Sequence, residues 1–207
     1  MRETLTRTIA APCVALALAS CGAQAPARRG EASAQSAVWR NDAPAAYLRS
    51  PRATGQRGAR LSAHWLSRDG TVTETDPRGR AVVWPAPVRI AAAPAFRIAT
   101  PATPNRLDLR VFGGGVDARG VPREPPQLIS CSQGARARAC RFTVRRHGID
   151  VESRTPVVRP VARFVLYARW YVPLAQRPPR ARSNPTVSAS WGFVAARSAR
   201  RGQSGRR

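Results

Sequence analysis

The histidines, carboxylates and short glycine runs are the groups in this chain that could do chemistry, and few of them stand at catalytic spacings. Only two histidines are present, so a histidine general base must be His64 or His147. His64 falls beside Trp65 in an alternating segment, and His147 falls in Arg146-His147-Gly148, which reads as a turn. Both are expected to be structural or solvated. Asp69, Glu74 and Asp76 gather around one predicted hairpin, and Asp150 and Glu152 share a face of a short strand. A glycosidase needs two carboxylates flanking its substrate, but arginine is so abundant here that ion-paired surface groups are the expectation. There is no G-x-S-x-G elbow, and Gly202-Gln203-Ser204-Gly205 lies in a tail unsuited to holding a nucleophile. Gly113-Gly114-Gly115 lacks a following Lys-Ser/Thr and runs on toward a Pro-rich stretch, so it reads as a flexible loop after a strand. No H-x-x-x-H spacing occurs, and neither a metal nor a cofactor is expected.

A binding constellation is easier to find. The longest strand candidate, Val161 to Val172, places Ala162, Phe164, Leu166, Ala168, Trp170 and Val172 on one face, which should be core. The opposite face carries Arg163, Val165, Tyr167, Arg169 and Tyr171. Alternating guanidinium groups and phenol rings offer cationic and flat amphipathic surface together, suited to sugar or acidic-polymer contact. The competing expectation is a central strand whose second face is covered by a loop or by neighbouring side chains.

The N-terminus carries a different kind of signal. Arg2 and Arg7 precede an apolar run, Ile9 to Leu18, that is interrupted only by Pro12 and closes on Leu18-Ala19-Ser20-Cys21. Ten residues suit a secretory h-region and fall short of the roughly 20 that cross a bilayer as a helix. The closing tetrapeptide resembles the lipobox of bacterial lipoproteins. That resemblance covers about the first 21 residues. It implies cleavage between Ser20 and Cys21 and a diacylglyceryl group on the Cys21 sulfur. It also implies a cell-membrane address on the extracytoplasmic face.

Under that resemblance Cys13 leaves with the leader and Cys21 is lipidated, so two of the four cysteines remain. Cys131 and Cys140, bracketing eight residues, are then expected to form a disulfide in an oxidising compartment. A two-thiol metal site is the alternative, with no histidine nearby to complete it.

The formal charge is +24, and every basic residue is arginine. Exclusion of lysine fits coding bias, but that bias does not explain the excess over Asp and Glu. Glu152 is the last acidic residue, and 12 arginines follow it. Such a block stays solvated and attracts polyanions. In a cytosolic protein nucleic acid would be the natural partner. Outside the membrane the partners become anionic phospholipid headgroups or acidic wall polymers. The expected anion-binding set is Arg163, Arg169, Arg197, Arg200, Arg201, Arg206 and Arg207.

These elements divide the chain into a leader (1–20), a lipidated cysteine with a flexible tether (21–37), one folded domain (38–197) and an Arg-rich tail (198–207). Prolines, 19 in all, break every helical period. Eight or nine short strands separated by Pro and Gly turns predict an all-β fold, an antiparallel β-sandwich of immunoglobulin-like architecture, with a barrel as the alternative. Leu61–Trp65 and Thr71–Thr75 should pair across Ser67-Arg68-Asp69-Gly70. Leu128–Cys131 should pair with Cys140–Arg146, clamped by the disulfide. The expected role is a non-catalytic, lipid-anchored binding or scaffolding protein of the envelope. An envelope hydrolase, or a polyanion binder driven by the basic tail, stands beside it.

Overall fold

Alternating apolar residues at period two, cut by Pro and Gly every few positions, leave the backbone only strand pairing as an outlet for its N–H and C=O groups. In a computed structural model the described residues, 42–50, 53–66, 72–75, 80–90, 93–134, 137–156, 159–177 and 186–197, bear this out. The chain is all-β, built of two mostly antiparallel sheets, with a single 3-10 turn at Leu174–Gln176 and no α-helix among the described residues.

The strands are β1 (Ala46–Ser50), β2 (Ala53–Arg57), β3 (Ala59–Leu66), β4 (Val72–Thr75), β5 (Val88–Ile90), β6 (Ala95–Ile98), β7 (Arg106–Phe112), β8 (Gln127–Ser130), β9 (Ser132–Gln133), β10 (Cys140–Arg145), β11 (Gly148–Ser153), β12 (Val161–Tyr171) and β13 (Thr186–Arg197). The first sheet runs β2-β1-β6-β11-β10-β9, antiparallel except for β9 beside β10. The second runs β4-β3-β13-β12-β7-β8, with β5 added in parallel to the end of β13.

One apolar cluster takes residues from both sheets. Phe96 of β6 meets Phe164 of β12 and Phe193 of β13 at ring-centroid distances of 5.9 and 5.0 Å. Trp65 packs edge-on against Trp170 at 5.5 Å. Burying an indole strands its N–H unless an acceptor is supplied. Trp170 Nε1 donates to the Ala102 carbonyl at 2.8 Å and Trp191 Nε1 to that of Pro44 at 3.0 Å. Ala162, Phe164, Leu166, Ala168, Trp170 and Val172 are all buried, as the alternation of β12 requires.

The chain changes sheet twice over a single residue. Gly58 alone separates β2 from β3, and its N–H still donates to Ala46 O at 2.8 Å. A Cβ there would stand 2.6 Å from the Phe193 ring, so the corner accepts only glycine without repacking. Cys131 alone separates β8 from β9, with its N–H on Leu107 O at 2.8 Å. Corners of this kind carry strands from one packed sheet to the other.

The predicted β3–β4 hairpin pairs as expected, Leu66 opposite Val72, while its Ser67-Arg68-Asp69-Gly70 turn lies outside the described residues. The second predicted hairpin is corrected. β8 pairs with β7 in the second sheet, and β10 pairs with β11 across the Arg146-His147 turn. The strand expected at Leu128–Cys131 ends at Ser130, and its partner is β7 rather than the apolar segment nearest in sequence. Ala81–Trp84, an apolar stretch, forms no strand. With Pro85 and Pro87 behind it, it crosses the second sheet as an irregular strap.

Candidate functional site

Cys131 and Cys140 stand at disulfide distance, S–S 1.94 Å and Cα–Cα 4.5 Å. The bridge ties the β8–β9 corner to the start of β10. Both residues are buried.

The outward face of β12 splits into two halves. At its N-terminal half Arg163 is enclosed. Its Nη1 donates to Gly114 O at 3.1 Å and its guanidinium lies 5.9 Å from the centre of the Trp84 ring. Trp84 also covers Gly192, where a Cβ would meet Trp84 at 3.0 Å and Leu61 at 3.1 Å. The strap is pinned by Trp84 Nε1 donating to Gly120 O at 2.7 Å and by Val82 N donating to Arg119 O at 2.7 Å. Gly120 takes φ +77 beneath it, in a turn closed by Asp117 Oδ1, which accepts from Arg119 N and Val121 N. The Gly113-Gly114-Gly115 run follows β7 as expected and is held to β12 and its approach, since Gly113 O accepts from Arg159 Nη1 at 3.0 Å. Here the covered-strand expectation describes the molecule.

The C-terminal half is polar. Ser62, Ser190, Tyr167, Asp108 and Ser130 form one cross-strand row over β3, β13, β12, β7 and β8. Asp108 is buried and accepts from Arg106 Nε at 2.6 Å and Ser130 Oγ at 2.9 Å. The two serine hydroxyls share a hydrogen bond of 2.6 Å. The next row holds Glu74, His64, Ser188, Arg169 and Arg106 as successive register positions. Arg169 Nε is buried there without a hydrogen-bond partner. Tyr171, beyond these rows, is exposed and lies under Arg177, whose guanidinium is 5.5 Å from the ring centre. Arg163, Tyr167, Arg169 and Tyr171 thus share a strand face, but Arg163 is separated in its covered half while Tyr167, Arg169 and Tyr171 lie along its C-terminal half.

His147 sits in the β10–β11 turn of the first sheet, with its carbonyl 3.5 Å from Arg97 Nη2. It is therefore on the other sheet from His64. Asp150 and Glu152 do share a face and both pair with arginine. Glu152 Oε2 accepts from Arg141 Nε at 2.7 Å, and Asp150 lies 3.6 Å from Arg49 and 3.5 Å from Arg145. Among the described residues no group of three His, Cys, Asp or Glu is placed to hold a metal. Arg197 ends β13. Cys21, Arg200, Arg201, Arg206 and Arg207 lie outside the described residues.

One arrangement escaped the sequence reading. On the outward face of the first sheet Tyr47 of β1 has Arg57 of β2 on one side and Arg97 of β6 on the other, in direct register. Asp150 follows Arg97 in the same row. The signal is one residue from each of three strands, and neither β1 nor β2 shows a clear alternation that would have announced it.

Among the described residues no helix is long and apolar enough to cross a membrane. Compared with protein-family models, curated proteins and solved structures, the chain matches none of them.

Proposed function

We propose that this chain is a lipid-anchored extracytoplasmic protein of a bacterial cell envelope, with a non-catalytic β-sandwich domain that binds or scaffolds at the cell surface. One observation carries the reading: the buried Cys131–Cys140 bridge. It uses the two cysteines downstream of Cys21, suits an oxidising compartment, and leaves Cys21 at the end of Leu18-Ala19-Ser20-Cys21 as the thiol for acylation. Two acyl chains hold a protein where one gives only marginal binding. Residues 22–37, with no bulky apolar side chain, serve as the spacer between bilayer and domain, and the Arg-rich tail adds attraction for anionic headgroups or wall polymer.

The immunoglobulin-like layering belongs to the same proposal. The shared core of the two sheets supports it. The bridge does not bear on it, because Cys131 and Cys140 join a corner to a neighbouring strand rather than sheet to sheet.

Expression with an alkyne-tagged fatty acid tests the anchor. The wild type should incorporate label and partition with membranes, and Cys21→Ala should do neither. Equal labelling or equal partitioning of the two would overturn the proposal.

Hydrolysis is the second reading, favoured by one observation. Ser188, His64 and Glu74 occupy consecutive register positions on β13, β3 and β4, with Arg169 on the other side of Ser188. In this reading Ser188 is the nucleophile and His64 its base. Turnover of p-nitrophenyl acetate that falls at least 100-fold in both Ser188→Ala and His64→Ala would support it. No turnover by the wild type, or turnover unchanged in both variants, would end it.

A further inference from the structure

The outward face of the first sheet is where the excess charge of the folded domain becomes a surface. Alternation turns Ala46, Leu48, Phe96, Ile98, Ile149 and Val151 into the core, all at 0% exposure. The residues between them therefore face outward. In one row stand Arg57, Tyr47, Arg97, Asp150 and Thr143. In the next stand Arg49, Ala95, Glu152 and Arg141. Arg145 closes the far side, opposite Gly148.

The charges on this face do not balance. Glu152 is taken up by Arg141, and Asp150 is shared between Arg49 and Arg145. Asp150 Oδ1 has no hydrogen bond, so its compensation there is ionic, through Arg49. Arg57 and Arg97 remain without an ion-pair partner among the described residues, although Arg97 directly faces Asp150 across the strand pair. They stand two strand spacings apart, about 10 Å, with the half-buried Tyr47 ring between them.

We infer that this face binds an acidic glycan strand, in which charged and neutral rings alternate. The Arg57 and Arg97 guanidinium groups, neither in an ion pair although Arg97 Nη2 also reaches the His147 carbonyl, take successive carboxylate, sulfate or phosphate groups, and the intervening ring lies on Tyr47. Guanidinium forks suit planar oxyanions. A flat phenol offers contact area at low entropic cost.

A bilayer is the other anionic surface within reach of a tethered domain, and the face is not built for one. Interfacial binding buries apolar side chains among the headgroups. The large apolar residues exposed among the described ones are Val83, Val121, Leu128, Val161, Tyr171 and Leu174, and none lies on the first sheet. The inference names the partner for the surface-binding role above and rests only on that role, not on the anchor.

The test is binding of the full-length oxidised chain, without lipid, to three probes: hyaluronan oligosaccharides, polyphosphate of matched charge, and vesicles containing phosphatidylglycerol. Because the tail also attracts anions, the double variant Arg57→Gln/Arg97→Gln is compared with the charge-matched tail variant Arg206→Gln/Arg207→Gln. Hyaluronan affinity should fall at least tenfold in the face variant and less than twofold in the tail variant. Tyr47→Leu should weaken hyaluronan binding several-fold without changing its salt dependence. Thermal melting checks that each variant is folded.

Equal losses from face and tail would overturn the inference, as would polyphosphate bound as well as hyaluronan with Tyr47→Leu without effect. Preferential binding to vesicles would assign the face to a membrane instead. Failure of the lipid-labelling experiment would leave these measurements untouched, and the converse also holds.

Discussion

Asp108 is the least exposed polar residue among those described, a carboxylate on the outward face of β7 that is nonetheless 2% exposed. Its charge is held by Arg106 and Ser130, and a buried carboxylate that loses its cation is left with a desolvation cost that nothing offsets. Arg106 is half exposed, so the cost is moderated by water reaching its side. Arg106→Ala should lower unfolding free energy by about 1–3 kcal/mol, read by urea denaturation. A change within 0.3 kcal/mol would show that Ser130 and solvent suffice. Arg163 makes the opposite point: it is an arginine from the expected anion-binding set whose guanidinium is covered by Trp84 and bonded to the Gly114 carbonyl, with its Nε buried without a hydrogen bond. Residue type alone does not distinguish such an arginine from Arg57, which is exposed and unpaired.

The strands that the sequence makes readable are those long enough to show a period. On β7, β12 and β13 the alternation marks the core, where Leu107, Leu109, Phe164, Leu166, Trp191 and Phe193 are buried, but Asp108, Val165, Ser190 and Val194 on the opposite face are buried as well. Pairing was harder to read, because β8 finds β7 rather than β10. A one-residue corner at Cys131 sends the chain to the other sheet, and nothing in Ser130-Cys131-Ser132 marks a change of sheet. Short strands such as β1 and β2 carry too few residues for a period, so the row of Arg57, Tyr47 and Arg97 stayed invisible until the register was known.

Both corners yield predictions at this scale. Gly58→Ala sets a methyl group against the Phe193 ring and should cost about 1–3 kcal/mol by overpacking. An unchanged denaturation midpoint would mean the ring moves aside freely. Cys131→Ser/Cys140→Ser opens a loop of sequence separation 9. The double variant should lose about 2–3 kcal/mol, and reductant should bring the wild type to the same midpoint.

At the scale of the whole molecule, the two sheets present unlike exteriors. The second is partly roofed by the strap that carries Trp84 and by the turn at Gly120. The first is basic, with Tyr47 between Arg57 and Arg97 toward its β2 edge. An anchor at Cys21 and the spacer 22–37 would set the domain at a root-mean-square distance of about 20–25 Å from the bilayer, taking that segment as a flexible coil. There a glycan-binding face would meet surface polymers, and the basic balance of the chain would favour retention among anions. That arrangement stands or falls on the chemistry of one sulfur. Mass spectrometry of the N-terminal peptide from membrane-extracted protein should find Cys21 as the first residue, carrying a diacylglyceryl thioether. An unmodified Cys21, or a mature chain that begins elsewhere, would contradict the account.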